Sequence, residues 1–494
     1  MTLPNRLFLL ALFNFTLLLP AITIAADDSN SAKQLYTQYC SSCHGAQRLG
    51  GMGPALLPGN LSRLRKPDAA RVIQSGRAAT QMPPFAHTLN NTQTDLLVNY
   101  IYEEPDTPPE WTLTDIQSTQ QIHFQQDQLS SQPVFQADLQ NLFIVVELGD
   151  HHATLLDGDT FNPIHRFATR FALHGGPKYS PDGRYVYFAS RDGWISKFDI
   201  YNLKTVAEIR AGINTRNMAV SFDGRFAMVA NYLPHNLVLL DTETLSPIKV
   251  IPVNGRVSAV YTAPPRNSFI AALKDDKTIL EIPYRAPFQV RSISTDEYLD
   301  DFFFDPDYQH LIGASREGDR GQVIHLDSGK AIATVPLAGM PHLGSGISWH
   351  YQGKTVMATP HLKEGKVSFI DMSNWKVIKQ IDTLGPGFFM RSHDNSPYAW
   401  VDVFFGPNKD AVHLIDKQTL EIAHTLKPEP GKTAAHVEFT KDGSHALLSI
   451  WEDDGAVIVY DSRTLREVKR LPMRKPSGKY NVYNKTHYSA GTSH

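Results

Sequence analysis

The chain has 494 residues, with 47 Lys and Arg against 50 Asp and Glu, 42% hydrophobic residues and two cysteines. A net charge of −3 leaves no footprint of a nucleic-acid partner, because phosphate binding needs a concentrated cationic surplus. Two cysteines exclude a disulfide scaffold and a four-thiolate metal site, while 32 Gly and 32 Pro point to many turns and so to β structure.

At the N-terminus Arg6 precedes an apolar run from Leu7 to Leu19, and Thr23-Ile24-Ala25-Ala26 follows before Asp27. This is a secretory signal pattern, with cleavage expected near Ala25 or Ala26. The run falls short of the ~20 residues of a membrane helix, so residues 1–26 are expected to be removed and not kept as an anchor. The mature chain is expected to be exported and without a membrane span.

Cys40-Ser41-Ser42-Cys43-His44 is a C-x-x-C-H motif, the attachment pattern of a covalent c-type haem. Two thiols at this spacing reach the two vinyl groups, and His44 comes beneath the iron. The sixth ligand is expected on a later loop; Met82, in Gln81-Met82-Pro83-Pro84-Phe85, is the first choice and His87 the second. A helix over 32–40, a tight turn at Gly53-Pro54-Ala55-Leu56 and a closing helix over 92–102 complete the expected domain, residues 27–104. The alternative is a thioredoxin-like cysteine pair. These residues resemble the small, all-α class I cytochromes c, which implies one haem c, redox function and a periplasmic location.

A Pro-rich acidic stretch beginning at Glu104-Pro105 reads as a linker over 105–111. Beyond it a unit recurs, marked by Asp157, Asp199, Asp241, Asp327, Asp371, Asp416 and Asp461 at strand corners, at intervals of 42, 42, 86, 44, 45 and 45 residues. The interval of 86 is a double one, its missing marker falling near Leu280-Glu281-Ile282. Opening turns recur as Ser180-Pro-Asp-Gly, Ser221-Phe-Asp-Gly and Thr440-Lys-Asp-Gly. Short strands in a period of 40–50 residues predict an all-β propeller of eight blades over residues 112–494. The whole is a multidomain α+β chain.

A propeller alone does not define a function. Here the residues resemble the cytochrome cd1 nitrite reductase family, in which a cytochrome c domain precedes an eight-bladed propeller holding haem d1. Pro476-Ser-Gly-Lys-Tyr-Asn-Val-Tyr-Asn484 is similar to that family's closing strand. Phe171-Ala-Leu-His174, with Asp182-Gly-Arg-Tyr185 and Arg191-Asp-Gly193, is similar to its proximal-ligand segment. The resemblance implies that His174 is the proximal haem d1 ligand, and that Arg191, Arg216 and, on a weaker match, Arg256 pair with macrocycle carboxylates.

The departures point to one branch. A distal His of the reductases is replaced within Tyr298-Leu299-Asp300-Asp301, a second is kept as His342 in Met340-Pro341-His342-Leu343-Gly344, and a new one, His436, stands in Ala434-Ala435-His436-Val437. Losing an imidazole removes a ready proton donor to nitrite. This pattern resembles the dihydro-haem d1 dehydrogenases, which oxidise a propionate side chain of the macrocycle to an acrylate at the end of haem d1 biosynthesis. Dihydro-haem d1 is then substrate and haem d1 product. The resemblance implies His342 and His436 as axial ligand and proton acceptor in either order, with Asp300 and Arg391 as further pocket residues and His393 as a candidate. A periplasmic electron acceptor and cytochrome cd1 nitrite reductase are the expected partners. The alternatives are a haem d1 carrier without chemistry, an atypical nitrite reductase and an electron-transfer cytochrome with an empty propeller.

Overall fold

The computed structural model describes residues 23–77 and 80–488, with side chains from residue 31. The expected leader, residues 1–26, lies outside the described residues, apart from the backbone of its last four. Two compact units divide between Glu104 and Pro105.

In the first unit the helices Thr23–Tyr39, Ser41–His44, Pro58–Leu61, Lys66–Ser75 and Asn91–Ile101 enclose a small core of Tyr36, Leu61, Ile73, Leu97 and Ile101. The last helix starts sharply because Asn90 and Gln93 cap each other: Gln93 N–H donates to Asn90 Oδ1 and Asn90 N–H to Gln93 Oε1.

The second unit is an eight-bladed β-propeller of antiparallel sheets. Its first blade pairs the C-terminal strand Pro476–Asn481 with Leu142–Glu147, so the two ends of the ring lock each other. The inner strands of blades 2 to 8 are Lys178–Tyr179, Asn214–Val220, Val257–Ala263, Asp301–Phe304, Ile347–Tyr351, Met390–Arg391 and Ala434–Phe439. Blade 1 begins at Leu142, not near residue 112. The residues between form the helix Leu113–Ser118 and a short strand, Gln121–Ile122, on the outer edge of blade 2.

The repeating Asp has a physical reason. Six of the seven markers end the third strand of their blade, and their carboxylates accept turn N–H groups, as Asp199 does from Tyr201 (2.9 Å) and Asp461 from Thr464 (2.7 Å). Asp327 is the exception. There the strand ends at His325, whose Nδ1 takes the Ser328 N–H, while Asp327 pairs with Arg266 at 2.8 Å. Blade 4 carries Thr278–Pro283 at the place of the missing marker. Among the described residues no helix is long and apolar enough to cross a membrane.

Candidate functional site

In the helical unit His44 is buried, and its Nδ1–H donates to Pro54 O at 2.7 Å. That bond fixes the tautomer and leaves Nε2 with its lone pair, as a metal-bound imidazole requires. Gly53 lies flat against the ring, where a Cβ would stand 2.7 Å from Cε1. Burial and the neighbouring Cys43 push the Cys40 thiol up to about 11, the reverse of the lowered value of a catalytic cysteine pair. Met82 is half-buried and packs on the domain core, whereas His87 is exposed. The residues fit a covalent haem with His44 and Met82 as its ligands.

The propeller channel gathers the second group. The loop of His174 joins blades 2 and 3: His174 N–H donates to Ala189 O, Arg191 N–H to Ala172 O and Thr215 N–H to Arg191 O, at 2.9 to 3.2 Å. The Nδ1–H of His174 donates to Arg216 O at 2.5 Å, and the Arg216 guanidinium lies 3.4 Å from both ring nitrogens. His174, Arg191 and Arg216 are therefore one constellation. Tyr480 closes its side, since a Cβ on Gly176 would sit 2.9 Å from the tyrosine ring.

Across the ring, His342 donates from Nδ1 to Phe388 O at 2.5 Å, and its Nε2 lies 3.8 Å from Asp301 Oδ2. Asp301 is itself fixed, accepting from Gly344 N–H (2.8 Å) and Phe302 N–H (3.0 Å). Asp301, not Asp300, is thus the carboxylate beside His342. Strand alternation turns Asp300 the other way, to the Arg316 N–H at 2.7 Å and Lys274 at 3.4 Å. Burial pulls the His342 imidazole below its usual value, Asp301 opposing and Arg216 adding to the effect.

His436 sits at a bulge in the inner strand of blade 8, with φ of 54°, and its N–H donates to Asp402 Oδ2 at 3.3 Å. A bulge re-aims one side chain, and here it sets the imidazole between Phe389 and Tyr480, with ring centroids 4.7 and 5.3 Å away. Asp402 also accepts from Phe388 N–H (2.7 Å) and Phe389 N–H (3.0 Å), so one buried carboxylate supports both histidines. Burial pushes Asp402 up to about 6. Burial and then the cations Lys479, Arg391 and Lys485 hold His436 well below its ordinary value.

Three further candidates are engaged by partners of their own. Arg256 is committed to Asp275 by two bonds of 2.8 and 2.7 Å at an exposed loop. Arg391 is buried and paired with Glu438 at 2.5 Å. His393 lies near the outgoing end of the inner strands, bonded to Lys441 O (3.2 Å) and Asn395 N–H (3.1 Å), and serves the packing of blades 7 and 8. Sequence reasoning missed Asp301, Asp402, Phe388 and Phe389. Asp301 adjoins the predicted Asp300, and no motif in the sequence marks Phe388 or Phe389.

Comparison with known proteins settles the family. The cytochrome D1 heme domain profile matches residues 137–485, and the profile of cytochrome C oxidase, cbb3-type, subunit III matches residues 27–101. The dihydro-heme d1 dehydrogenase of Pseudomonas aeruginosa is 58% identical, covering 97% of this chain and 98% of that protein. The chain belongs to the dihydro-heme d1 dehydrogenase family. A solved structure of a dihydro-heme d1 dehydrogenase, NirN in complex with DHE, superposes with a TM-score of 0.90 over 92% of this chain and 100% of that one, at 58% identity. The nitrite reductase of Stutzerimonas stutzeri is 26% identical, covering 93% of this chain and 94% of its own. The dehydrogenase family thus accounts for both units, a haem c domain and a haem d1-type propeller.

Proposed function

We propose that the protein is a periplasmic oxidoreductase that holds dihydro-haem d1 in the propeller channel and oxidises one propionate side chain to an acrylate. The change from –CH2–CH2–COO⁻ to –CH=CH–COO⁻ releases two protons and two electrons. The observation that carries this reading is His342, an imidazole with Nδ1 locked on a carbonyl and Nε2 3.8 Å from a buried carboxylate. A nitrogen so placed can take a proton from the side-chain carbon, and Asp301 then stabilises the imidazolium.

We assign the two distal histidines different roles. Burial and the cations Lys479, Arg391 and Lys485 favour a neutral His436 imidazole, the form that would hold the macrocycle iron. His174 donates its Nδ1–H to Arg216 O and has the Arg216 guanidinium 3.4 Å from its ring, and it would hold the macrocycle iron from the opposite wall. Arg191 and Arg216 bind macrocycle carboxylates. Haem c, which Cys40, Cys43, His44 and Met82 would hold, would supply one-electron acceptance for the two electrons of each product. A periplasmic acceptor takes these electrons, in keeping with the export pattern of residues 1–26. Cytochrome cd1 nitrite reductase is the expected recipient of the product, because a carboxylate-rich macrocycle is better delivered than released.

The test is the mass of the macrocycle extracted after incubating the purified protein with dihydro-haem d1 and an oxidant. Loss of two hydrogens in the wild type, abolished in His342→Gln with binding retained, is the expected result. Tight binding without a mass change in the wild type would leave a carrier, and steady nitrite turnover would make it a reductase.

A further inference from the structure

Blade 7 stands between the blades that carry the two distal histidines, and one of its side chains reaches towards both. Asp402 ends the strand Tyr398–Asp402 and is 2% exposed. Its two oxygens are divided. Oδ1 takes the Phe388 N–H at 2.7 Å and the Phe389 N–H at 3.0 Å, while Oδ2 takes the His436 N–H at 3.3 Å.

Each oxygen leads to one histidine. On the Oδ1 side Phe388 is held by its N–H, its carbonyl receives the Nδ1–H of His342, and its ring packs on that imidazole with centroids 4.3 Å apart. The loop comes this close because residue 387 is glycine: a Cβ there would stand 2.8 Å from Asp402 O and 3.1 Å from Pro360 Cβ. Asp402 N–H returns a bond to Phe389 O at 3.3 Å, so the contact is fastened in both directions. On the Oδ2 side His436 is the extra residue of its strand, where pairing passes from Ala435 to Val437, and the bulge takes its N–H out of the ladder. Lys479 Nζ holds the carbonyl of the same residue.

A carboxylate at this place needs a reason, because a buried ion is costly unless hydrogen bonds satisfy it. Asparagine has the same shape but one acceptor oxygen instead of two. With three N–H groups arriving from two sides, an amide serves one side and turns its own NH2 group against the other. We propose that Asp402 is a positioning residue of the dehydrogenase, its two oxygens separately fixing His436 and, through Phe388, His342. The assignment rests on the roles given to the two histidines above and adds what holds them in register with each other. Asp402 acts through backbone groups and not on the substrate.

The experiment compares wild type with Asp402→Asn and Asp402→Ala in the full haem c-loaded protein, first by residue-resolved amide hydrogen exchange without ligand. An Asn side chain keeps more by leaving Oδ1 on Phe388 and Phe389, so its NH2 group faces His436. Loss of a bond to a charged acceptor then predicts exchange of the His436 amide about 10- to 100-fold faster, with Phe388 and Phe389 within about threefold of wild type. Asp402→Ala should release all three amides. The second measurement is titration and turnover with dihydro-haem d1. Asp402→Asn should raise Kd and shift the absorption band of the bound macrocycle, and kcat should fall further in Asp402→Ala, where His342 loses its anchor as well. A carboxylate with a merely structural role would raise exchange throughout blade 7 in both variants. That result would overturn the proposal, as would an unchanged His436 amide in Asp402→Asn. If Asp402→Ala does not fold, the pattern of the three amides in Asp402→Asn decides alone. If the wild type neither binds nor converts dihydro-haem d1, the dehydrogenase reading fails, while the exchange pattern, read without ligand, still judges Asp402.

Discussion

His174 and His342 share one construction and differ in their electrical company. Each locks its Nδ1–H onto a backbone carbonyl from the next blade at 2.5 Å, so in each Nε2 is the nitrogen that keeps its lone pair. Beside His174 lies the Arg216 guanidinium, at 3.4 Å. Beside His342 lies the Asp301 carboxylate, at 3.8 Å. A nitrogen next to a cation is poorly placed to hold a proton and well placed to donate its lone pair to a metal. A nitrogen next to a fixed carboxylate can accept a proton and keep it. The same fold element repeated around a ring thus places one imidazole beside a cation and another beside a carboxylate, the contrast on which the proposed ligand and base roles rest.

The largest effect should come from removing the base. His342→Gln keeps a hydrogen-bonding side chain of similar length but no proton acceptor, and kcat should fall by about 10²- to 10⁴-fold while dihydro-haem d1 still binds. His174→Ala should show the opposite split, with affinity lost before turnover. If both variants lost binding alone, the contrast between the two histidines would collapse.

A third imidazole shows what burial does without ionised company. His413 is almost fully buried, accepts the Leu384 N–H at Nε2 (3.1 Å) and bonds Thr425 Oγ1 through Nδ1 (2.8 Å). Burial pulls it down to about 4, because protonation would set one N–H against another. A histidine lowered in the folded state stabilises the protein above its unfolded value near 6.5, and that contribution is lost as pH falls from there towards 4. The contribution is on the order of 3 kcal/mol. Thermal melts between pH 7 and 4.5 should therefore be steeper for wild type than for His413→Asn.

The comparison also shows what was legible before any coordinates. Blade corners repeat because a carboxylate caps each third-strand turn, so the period of the Asp residues exposed the ring, and it misread only blade 5, where His325 does that work in place of Asp327. The haem c motif was legible because its thiols and imidazole are adjacent in the chain. His174 and Arg216 were legible through the family segment they lie in. The distal wall was less so: Asp402 reaches back 34 residues from His436 and forward 14 from Phe388, and nothing in the local pattern Trp400-Val401-Asp402-Val403 marks it as more than a strand residue. Asp301 was missed by one position because strand alternation, which decides between neighbouring carboxylates, depends on a register fixed only in the fold.

A gentler change tests whether Asp301 matters through charge. Asp301→Asn keeps the oxygen for the Gly344 N–H but removes the counter-ion that supports a proton on His342. Turnover should fall about tenfold. Because Asp301 raises the His342 value against the pull of burial, its loss lowers that value further, and the acidic limb of the kcat profile should move to lower pH. Asp300→Asn should leave that limb in place, since its carboxylate is held by Lys274 and the Arg316 N–H.

The smallest effect should be at Arg256, and it is informative for that reason. Its guanidinium meets Asp275 through two bonds, but the two side chains are 52% and 37% exposed, so water screens the pair and competes for it. An anchor for a macrocycle carboxylate would have to abandon Asp275, exchanging one carboxylate for another with little gain. Arg256→Ala should therefore change dihydro-haem d1 affinity by less than about twofold and stability by less than ~1 kcal/mol, whereas Arg216→Ala should weaken binding at least tenfold because its guanidinium is held against the His174 ring and the Ser258 carbonyl. A large loss on Arg256→Ala would mean that the cationic wall extends one blade further round the ring than the His174 constellation.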